Sequence, residues 1–252
     1  MKIFGCIPAR YASERFPGKP MVLIAGIPMV VRVYRRAFAS GIFDSLFVAT
    51  DDERIGALCR EYDVPALMTG RDHKSGSDRV YEAACIAGQD ADIIVNVQGD
   101  EPLLDPESLL HLVRPLRALP SGSVAASSVY ARITEPADYT NPNVVKVVLA
   151  ADGRALYFSR ANIPFYWGHG RDGGVPEHAY RHIGLYAYTR AALERFVRLP
   201  ASRLEEVESL EQLRLLENGI PIFMEEAAAP APAVDTPADL AALEALLARG
   251  EA

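Results

Sequence analysis

Short apolar runs recur along this chain with room for one helix between each pair. That alternation restricts the fold more than any other feature. Residues 3–7, 45–50 and 92–97 read as buried strands, with a shorter one at 65–68. Met29, Val30, Val33, Tyr34, Ala37 and Phe38 recur at helical spacing in a helix that starts near Pro28 and ends at Gly41. Residues 55–62 form a second helix. Ser75 opens a third that runs to about Ala87, with Asp78 in capping-box spacing. Strand, helix, strand, helix in this order predicts an α/β fold with a mostly parallel, doubly wound sheet.

The alternation fails after a helix at 106–119 and a strand at 124–129. Asn141-Pro142-Asn143 turns the chain into a strand at 144–149, and Asp152-Gly153 suits a hairpin to 156–159. A strand at 182–188, helices at 191–199 and 205–217, and a strand at 220–225 follow. This part is expected to be an antiparallel extension. Residues 162–180, rich in Gly and Pro, predict a long loop. Residues 227–233, with Pro230 and Pro232, read as an extended connector too short to divide domains. Thr236 is a good N-cap and Pro237 suits the first position of a last helix, to about Ala248. Residues 1–252 are thus expected to form one domain.

The loop after the first strand is Ile7-Pro8-Ala9-Arg10-Tyr11-Ala12-Ser13-Glu14-Arg15-Phe16-Pro17-Gly18-Lys19-Pro20. In doubly wound folds, ligands bind at the carboxyl ends of strands. Arg10, Arg15 and Lys19 could hold a polyphosphate there, Arg by forked hydrogen bonds and Lys as a point charge. A solvated loop whose cations balance nearby carboxylates fits equally well. Two familiar phosphate loops are excluded. Gly18-Lys19 matches only the middle of a P-loop, since Ser13 and Pro20 replace its first Gly and its hydroxyl, and no G-x-G-x-x-G follows the strand.

Asp100 also follows a strand, in Gln98-Gly99-Asp100-Glu101-Pro102. A carboxylate opposite a cationic loop suggests Mg²⁺ bridging to phosphate oxygens; a simple turn residue after Gly99 is the other reading. Asp235 lies just before the last helix, where a metal ligand is firmly held. In His73-Lys74-Ser75-Gly76-Ser77-Asp78-Arg79, exposed amides at the helix start could take a base edge or a phosphate. Capping explains Ser75 and Asp78 as well, but Gly76 and Arg79 less well.

The net charge of −7 argues against non-specific binding to nucleic acid or anionic membrane. No apolar run approaches the ~20 residues of a membrane span. Met1-Lys2-Ile3-Phe4 runs straight into a strand, which leaves no room for a signal peptide. Cys6, Cys59 and Cys85 lack metal or disulfide spacing and read as buried free thiols in a reducing cytoplasm.

Taken together, these stretches resemble the 3-deoxy-manno-octulosonate (Kdo) cytidylyltransferases. The resemblance rests on residues 7–20, Ala49-Thr50-Asp51, residues 73–79, 95–102, 141–148, 155–161, 182–188, 210–214 and 234–240. It implies a Rossmann-like nucleotidyltransferase fold, a cytoplasmic homodimer, and CTP and Kdo as substrates, giving CMP-Kdo for lipopolysaccharide assembly. It implies that Ala9, Arg10, Arg15 and Lys19 bind the triphosphate side of CTP, with His73, Ser75 and Gly76 near its cytosine and ribose. Asp100 and Asp235 match magnesium ligands, and with Arg10, Arg15 and Lys19 make up the catalytic set. Gln98, Arg160, His182, Tyr186, Glu211 and Gln212 match positions that bind the sugar acid. The resemblance divides the domain into a CTP-binding half (1–130), a sugar-binding and dimerisation region (131–233) and a closing segment with a metal ligand (234–252).

This chain departs from the family pattern at Ala233, where Gly is common, at Glu206, where His often occurs, and across residues 166–180. Each sugar-site residue also has a plainer reading. Arg160 could be a strand-end cation, His182 a satisfied core histidine, Tyr186 packing, and Glu211 and Gln212 a solvated helix face. The rival functions are a cytidylyltransferase for another acidic sugar such as 8-amino-Kdo, a relative using another nucleoside triphosphate, and a catalytically dead nucleotide-binding scaffold.

Overall fold

The structure is a computed structural model and describes residues 1–12, 16–73, 75–165, 167, 175–228 and 232–249. The chain forms two compact units, Met1–Leu110 with Pro230–Ala252, and His111–Ala229.

In the first unit, β1 (Ile3–Ala9) leads into the cationic loop, a 3-10 turn at Lys19–Met21 and a small hairpin of β2 (Leu23–Ile24) and β3 (Ile27–Pro28). Then come α1 (Met29–Phe38), β4 (Ser45–Thr50), α2 (Glu53–Glu61), β5 (Ala66–Met68), α3 (Gly76–Ala87) and β6 (Ile93–Asn96), while α4 (Pro106–Arg117) begins in this unit and continues into the second. β1 pairs in parallel with both β4 and β6, and β4 pairs in parallel with β5. This is the predicted parallel sheet. Its strands are apolar without alternation because both faces are covered. Ile3, Ile7, Ile93 and Ile94 are at most 1% exposed, each worth about 1.5–3 kcal/mol of burial. The helix starts follow from their caps. Asp52 accepts the Arg54 N–H ahead of α2, and Ser75 and Asp78 form a complete capping box ahead of α3. The last helix (Pro237–Ala248) opens with a third cap, a box between Thr236 and Asp239.

The second unit contains β7 (Ala126–Arg132), α5 (Pro136–Thr140), β8 (Lys146–Leu149), β9 (Ala155–Ser159), β10 (Tyr180–Thr189), α6 (Arg190–Arg198), α7 (Arg203–Glu208), α8 (Leu213–Glu217) and β11 (Ile222–Glu226). β10 pairs antiparallel with β7 and β8, and β8 antiparallel with β9. β11 pairs in parallel with β7. The expected antiparallel extension is therefore present, with Gly153 at φ 80° in the β8–β9 turn.

Two expectations need correction. The helix predicted at 205–217 is two short helices, because Ser209 adopts a left-handed conformation (φ 52°) that ends α7. Cys85 is exposed, whereas Cys6 and Cys59 are buried. Burial pushes the Cys6 thiol up and the Cys59 thiol up to about 11, so neither forms a thiolate readily.

Candidate active site

The parallel strands of the first unit end together. Ala9 of β1 lies opposite Thr50 of β4, and Cys6 lies opposite Asn96 of β6. The chain then passes from β6 to Gly99, where a Cβ would lie 2.9 Å from the Pro8 carbonyl oxygen. Only glycine lets the two backbones approach so closely, and that approach brings Asp100 to the end of β1. Gly99→Ala is expected to lose about 1–3 kcal/mol of stability and to reduce CTP binding, measured by thermal melts and calorimetric titration. An Ala variant with wild-type values in both would contradict this.

The Val234 N–H donates to the Asp100 carbonyl at 2.9 Å. This backbone bond sets Asp235 beside Asp100. Both carboxylates accept from the Lys19 ammonium, Asp100 Oδ2 at 3.1 Å and Asp235 Oδ1 at 3.0 Å. Asp235 is further fixed through its own N–H, which donates to Asp239 in the helix cap. Lys19 comes from the turn after Gly18, whose φ of 73° and N–H bond to the Tyr11 carbonyl (2.9 Å) close the loop. The Tyr11 ring packs against Gly18 and under the Arg54 guanidinium, 3.3 Å from its centroid.

Lys19, Asp100 and Asp235 thus converge. Two carboxylates aimed at one positive charge suit a hard cation such as Mg²⁺, which takes one or two carboxylates and otherwise water or phosphate oxygens. Among the described residues no third acidic, His or Cys side chain joins them. Burial beside Asp100 pushes the Glu101 carboxyl up to about 7.

Of the residues expected at CTP, Arg10 donates from Nη2 to the Ser75 carbonyl at 2.8 Å, which ties the cationic loop to the start of α3. Gly76 stands near Pro8 Cγ, at 3.6 Å from where its Cβ would be. Ala9 is the last residue of β1. His73 is paired with Glu82, which also accepts the Gly70 N–H at 2.8 Å. Arg15 lies outside the described residues. Sequence reasoning gave little weight to Arg79. It is fully buried, donates to Thr69 Oγ1 at 2.5 Å and pairs with Asp51 at 3.3 Å, joining two of the quoted motifs.

Gln98 belongs to the first unit, and the other residues expected at the sugar acid belong to the second. His182 and Tyr186 lie with ring centroids 5.3 Å apart on β10. The Glu211 charge, after burial and Tyr188, helps to raise the Tyr186 hydroxyl well above its ordinary value, so Tyr186 remains a donor. Gln212 is buried beside Glu211. His182 Nε2 is 2.9 Å from Ser128 Oγ, which also lies within hydrogen-bond distance of the Leu185 and Ile183 carbonyls at the bulge in β10. His182 Nε2 and Ser128 Oγ share a hydrogen bond whose direction is set by the imidazole tautomer.

Burial pushes the His182 pKa down to about 3. A histidine depressed in the fold lowers stability as pH falls through its unfolded value of about 6.5 towards 3, because the unfolded chain takes up the proton first. His182→Gln is expected to flatten that acid-side loss by up to about 1.4 kcal/mol per pH unit. Denaturant melts of both proteins between pH 7 and 4 provide the check, and parallel curves would overturn it.

Arg160 is placed differently from a free strand-end cation. Its Nε donates to the Glu208 carbonyl (2.8 Å), Nη1 to Pro142 O (3.0 Å) and Nη2 to Ser209 O (3.3 Å). Its N–H donates to Glu208 Oε2 at 2.9 Å, and Ser159 Oγ to Glu208 Oε1 at 2.6 Å. Arg160 caps the carbonyl end of α7. Glu208 and Lys146 were not singled out from sequence. A lone charge among Val144, Val145, Val147 and Val148 was the available signal for Lys146.

A parallel sheet that presents a cationic loop and two convergent carboxylates at its carboxyl edge suits a nucleotidyltransferase. Residues 4–225 match the family model for cytidylyltransferases. The chain is 48% identical over 254 residues to the 3-deoxy-manno-octulosonate cytidylyltransferase of Syntrophobacter fumaroxidans, covering 99% of this chain and 98% of that one. It is 49% identical over 247 residues to the protein of the same name from Acidobacterium capsulatum, covering 98% and 97%. A solved structure of CMP:2-keto-3-deoxy-manno-octonic acid synthetase complexed with CTP superposes with a TM-score of 0.91 at 39% identity, covering 99% of this chain and all of the other. The chain belongs to the 3-deoxy-manno-octulosonate cytidylyltransferase family.

Proposed function

We propose that this protein transfers CMP from CTP to the anomeric hydroxyl of Kdo, giving CMP-Kdo and pyrophosphate. The convergence of Lys19, Asp100 and Asp235 supports this most directly. A new bond forms between the sugar oxygen and the α-phosphorus. The bond from that phosphorus to the pyrophosphate oxygen breaks, and the hydroxyl proton passes to solvent. The residues position the reactants and balance charge, and no covalent enzyme intermediate is required.

Arg10 and Lys19, with Arg15, hold the triphosphate. Ser75 and Gly76 place the start of α3 for the nucleoside, with His73 beside it. Arg160, His182, Tyr186, Glu211 and Gln212 hold the sugar acid. The remaining Arg160 donors face its carboxylate, and neutral His182 offers Nδ1 to a hydroxyl. Asp100 and Asp235 would hold Mg²⁺, which when bound screens phosphate charge and lowers the pKa of a coordinated hydroxyl. The product would enter lipopolysaccharide assembly in the cytoplasm. No helix among the described residues is long and apolar enough to cross a membrane.

A homodimer fits this reading. The second unit exposes Phe165 (80%) and Trp167 (89%), whose ring centroids lie 6.3 Å apart. Light scattering should return twice the chain mass.

The test of function is pyrophosphate release with CTP and Mg²⁺ across Kdo, 8-amino-Kdo and a sialic acid. Turnover is expected to be fastest with Kdo and to be lost when UTP or ATP replaces CTP. Release that favours another acid or another nucleotide would reassign the substrate, and binding of CTP with no release would point to a scaffold.

A further inference from the structure

Lys146 sits in β8 and is wholly buried. An ammonium has three N–H donors. They reach the main-chain carbonyls of Asn141 at 2.9 Å, Val144 at 2.8 Å and Arg160 at 2.8 Å. These bonds satisfy its donors, but carbonyl dipoles carry no net charge to neutralise it. Burial lowers its pKa, the Arg160 charge lowers it further, and the Glu208 carboxylate works the other way. An apolar side chain of similar shape would fill this position at a smaller desolvation cost, so stability alone is a poor reason for a cation there.

The ammonium joins the turn at 141–144 to the end of β9. The same two segments set the Arg160 guanidinium. Nη1 is held by Pro142, within that turn, and the Arg160 main chain is held by Lys146 on its carbonyl and Glu208 on its N–H. Three of the five guanidinium N–H groups go to the carbonyls of Pro142, Glu208 and Ser209, which among the described residues leaves two for a ligand. Their direction depends on both segments staying in place.

We propose that Lys146 is a positioning residue for the sugar acid: by clamping the carbonyls of Asn141, Val144 and Arg160 it aims the two remaining guanidinium donors and adds buried positive charge beside them, which selects a carboxylate-bearing sugar. The inference rests on the reading of Arg160 as the residue that binds the acid. The Arg160 guanidinium and the Lys146 ammonium both act here, with the Glu208 carboxylate opposing them at Lys146, and a sugar carboxylate would add a second negative charge.

The test compares Lys146→Met and Lys146→Gln with Arg160→Lys, measuring KM for Kdo, KM for CTP, kcat and thermal melts. Lys146→Met is expected to raise the Kdo KM by about tenfold or more, as for a misplaced charged hydrogen bond, with the CTP KM within about twofold. Lys146→Gln keeps two N–H donors without the charge, so its KM should fall between. A merely structural role would lower the melting temperature and leave the Kdo KM of the folded enzyme unchanged. If the Met variant does not fold, Gln carries the comparison. Hydrogen exchange of the wild type adds a further arm: Kdo should slow exchange across 141–144 and 160–161, and no slowing would overturn the proposal. If Arg160→Lys raises the Kdo KM while the folded Lys146 variants do not, this inference alone fails. If Arg160→Lys leaves that KM unchanged, the Arg160 reading fails first. Equal rises in both KM values for a Lys146 variant would also count against it.

Discussion

Replacing Asp100 or Asp235 by Asn is expected to lower kcat by about 100-fold or more, a loss of at least ~2.7 kcal/mol of transition-state stabilisation. Asn keeps the shape and one acceptor oxygen but loses the charge that holds a hard cation. Folding should change little. Lys19 bridges the two carboxylates, so either single variant leaves one ion pair intact rather than merely relieving repulsion. The double variant should be hardly worse in kcat than the poorer single, because residues that act as a unit are not additive. Steady-state kinetics under Mg²⁺ titration, with melts on each variant, make the measurement. Near-wild-type turnover in either single at an unchanged Mg²⁺ requirement would remove that carboxylate from the site.

Lys19→Met should have opposite effects on activity and on the response to metal. Loss of a positioned cation at the phosphates is expected to cost about 10²–10³-fold in kcat/KM. Without Mg²⁺, the variant removes the ammonium that both Asp100 and Asp235 accept from. The destabilisation should be about 1–2 kcal/mol, below the 3–5 of a fully buried pair. The Asp235 side chain is 36% exposed, and water screens it. Added Mg²⁺ should then raise the melting temperature more in the variant than in the wild type, because no ammonium competes for the same oxygens. An equal or smaller Mg²⁺ shift would show that the cation binds elsewhere.

The first unit was largely readable in the sequence because its strands are buried on both faces and its helices announce their starts with Ser75, Asp78 and Thr236. The hairpin at Ala25-Gly26, with φ of 46° and 79°, went unread, since only one of its two left-handed positions is glycine. For the same reason nothing marked the break at Ser209. That break mattered for the site. Once α7 ends at Glu208, its free carbonyls take the Arg160 guanidinium, which the sequence offered only as a sugar-acid ligand or a strand-end cation. Asp100 and Asp235 could be named from their motifs. Their meeting at one lysine could not, because it depends on a backbone bond from Val234 to Asp100. Arg79 and Lys146 were visible as charges in conspicuous places, but what a buried cation holds is set by acceptors distant in the chain.

The Val234–Asp100 bond also gives the enzyme an order of birth. A ribosome delivers the cationic loop, Asp100 and the whole antiparallel extension long before residue 235. Until that residue has emerged and docked, Lys19 has one acidic partner instead of two. A nascent or prematurely terminated chain would carry nearly every feature of the nucleotide pocket and still lack half of its carboxylate pair. A site that needs both carboxylates would therefore be completed last in synthesis.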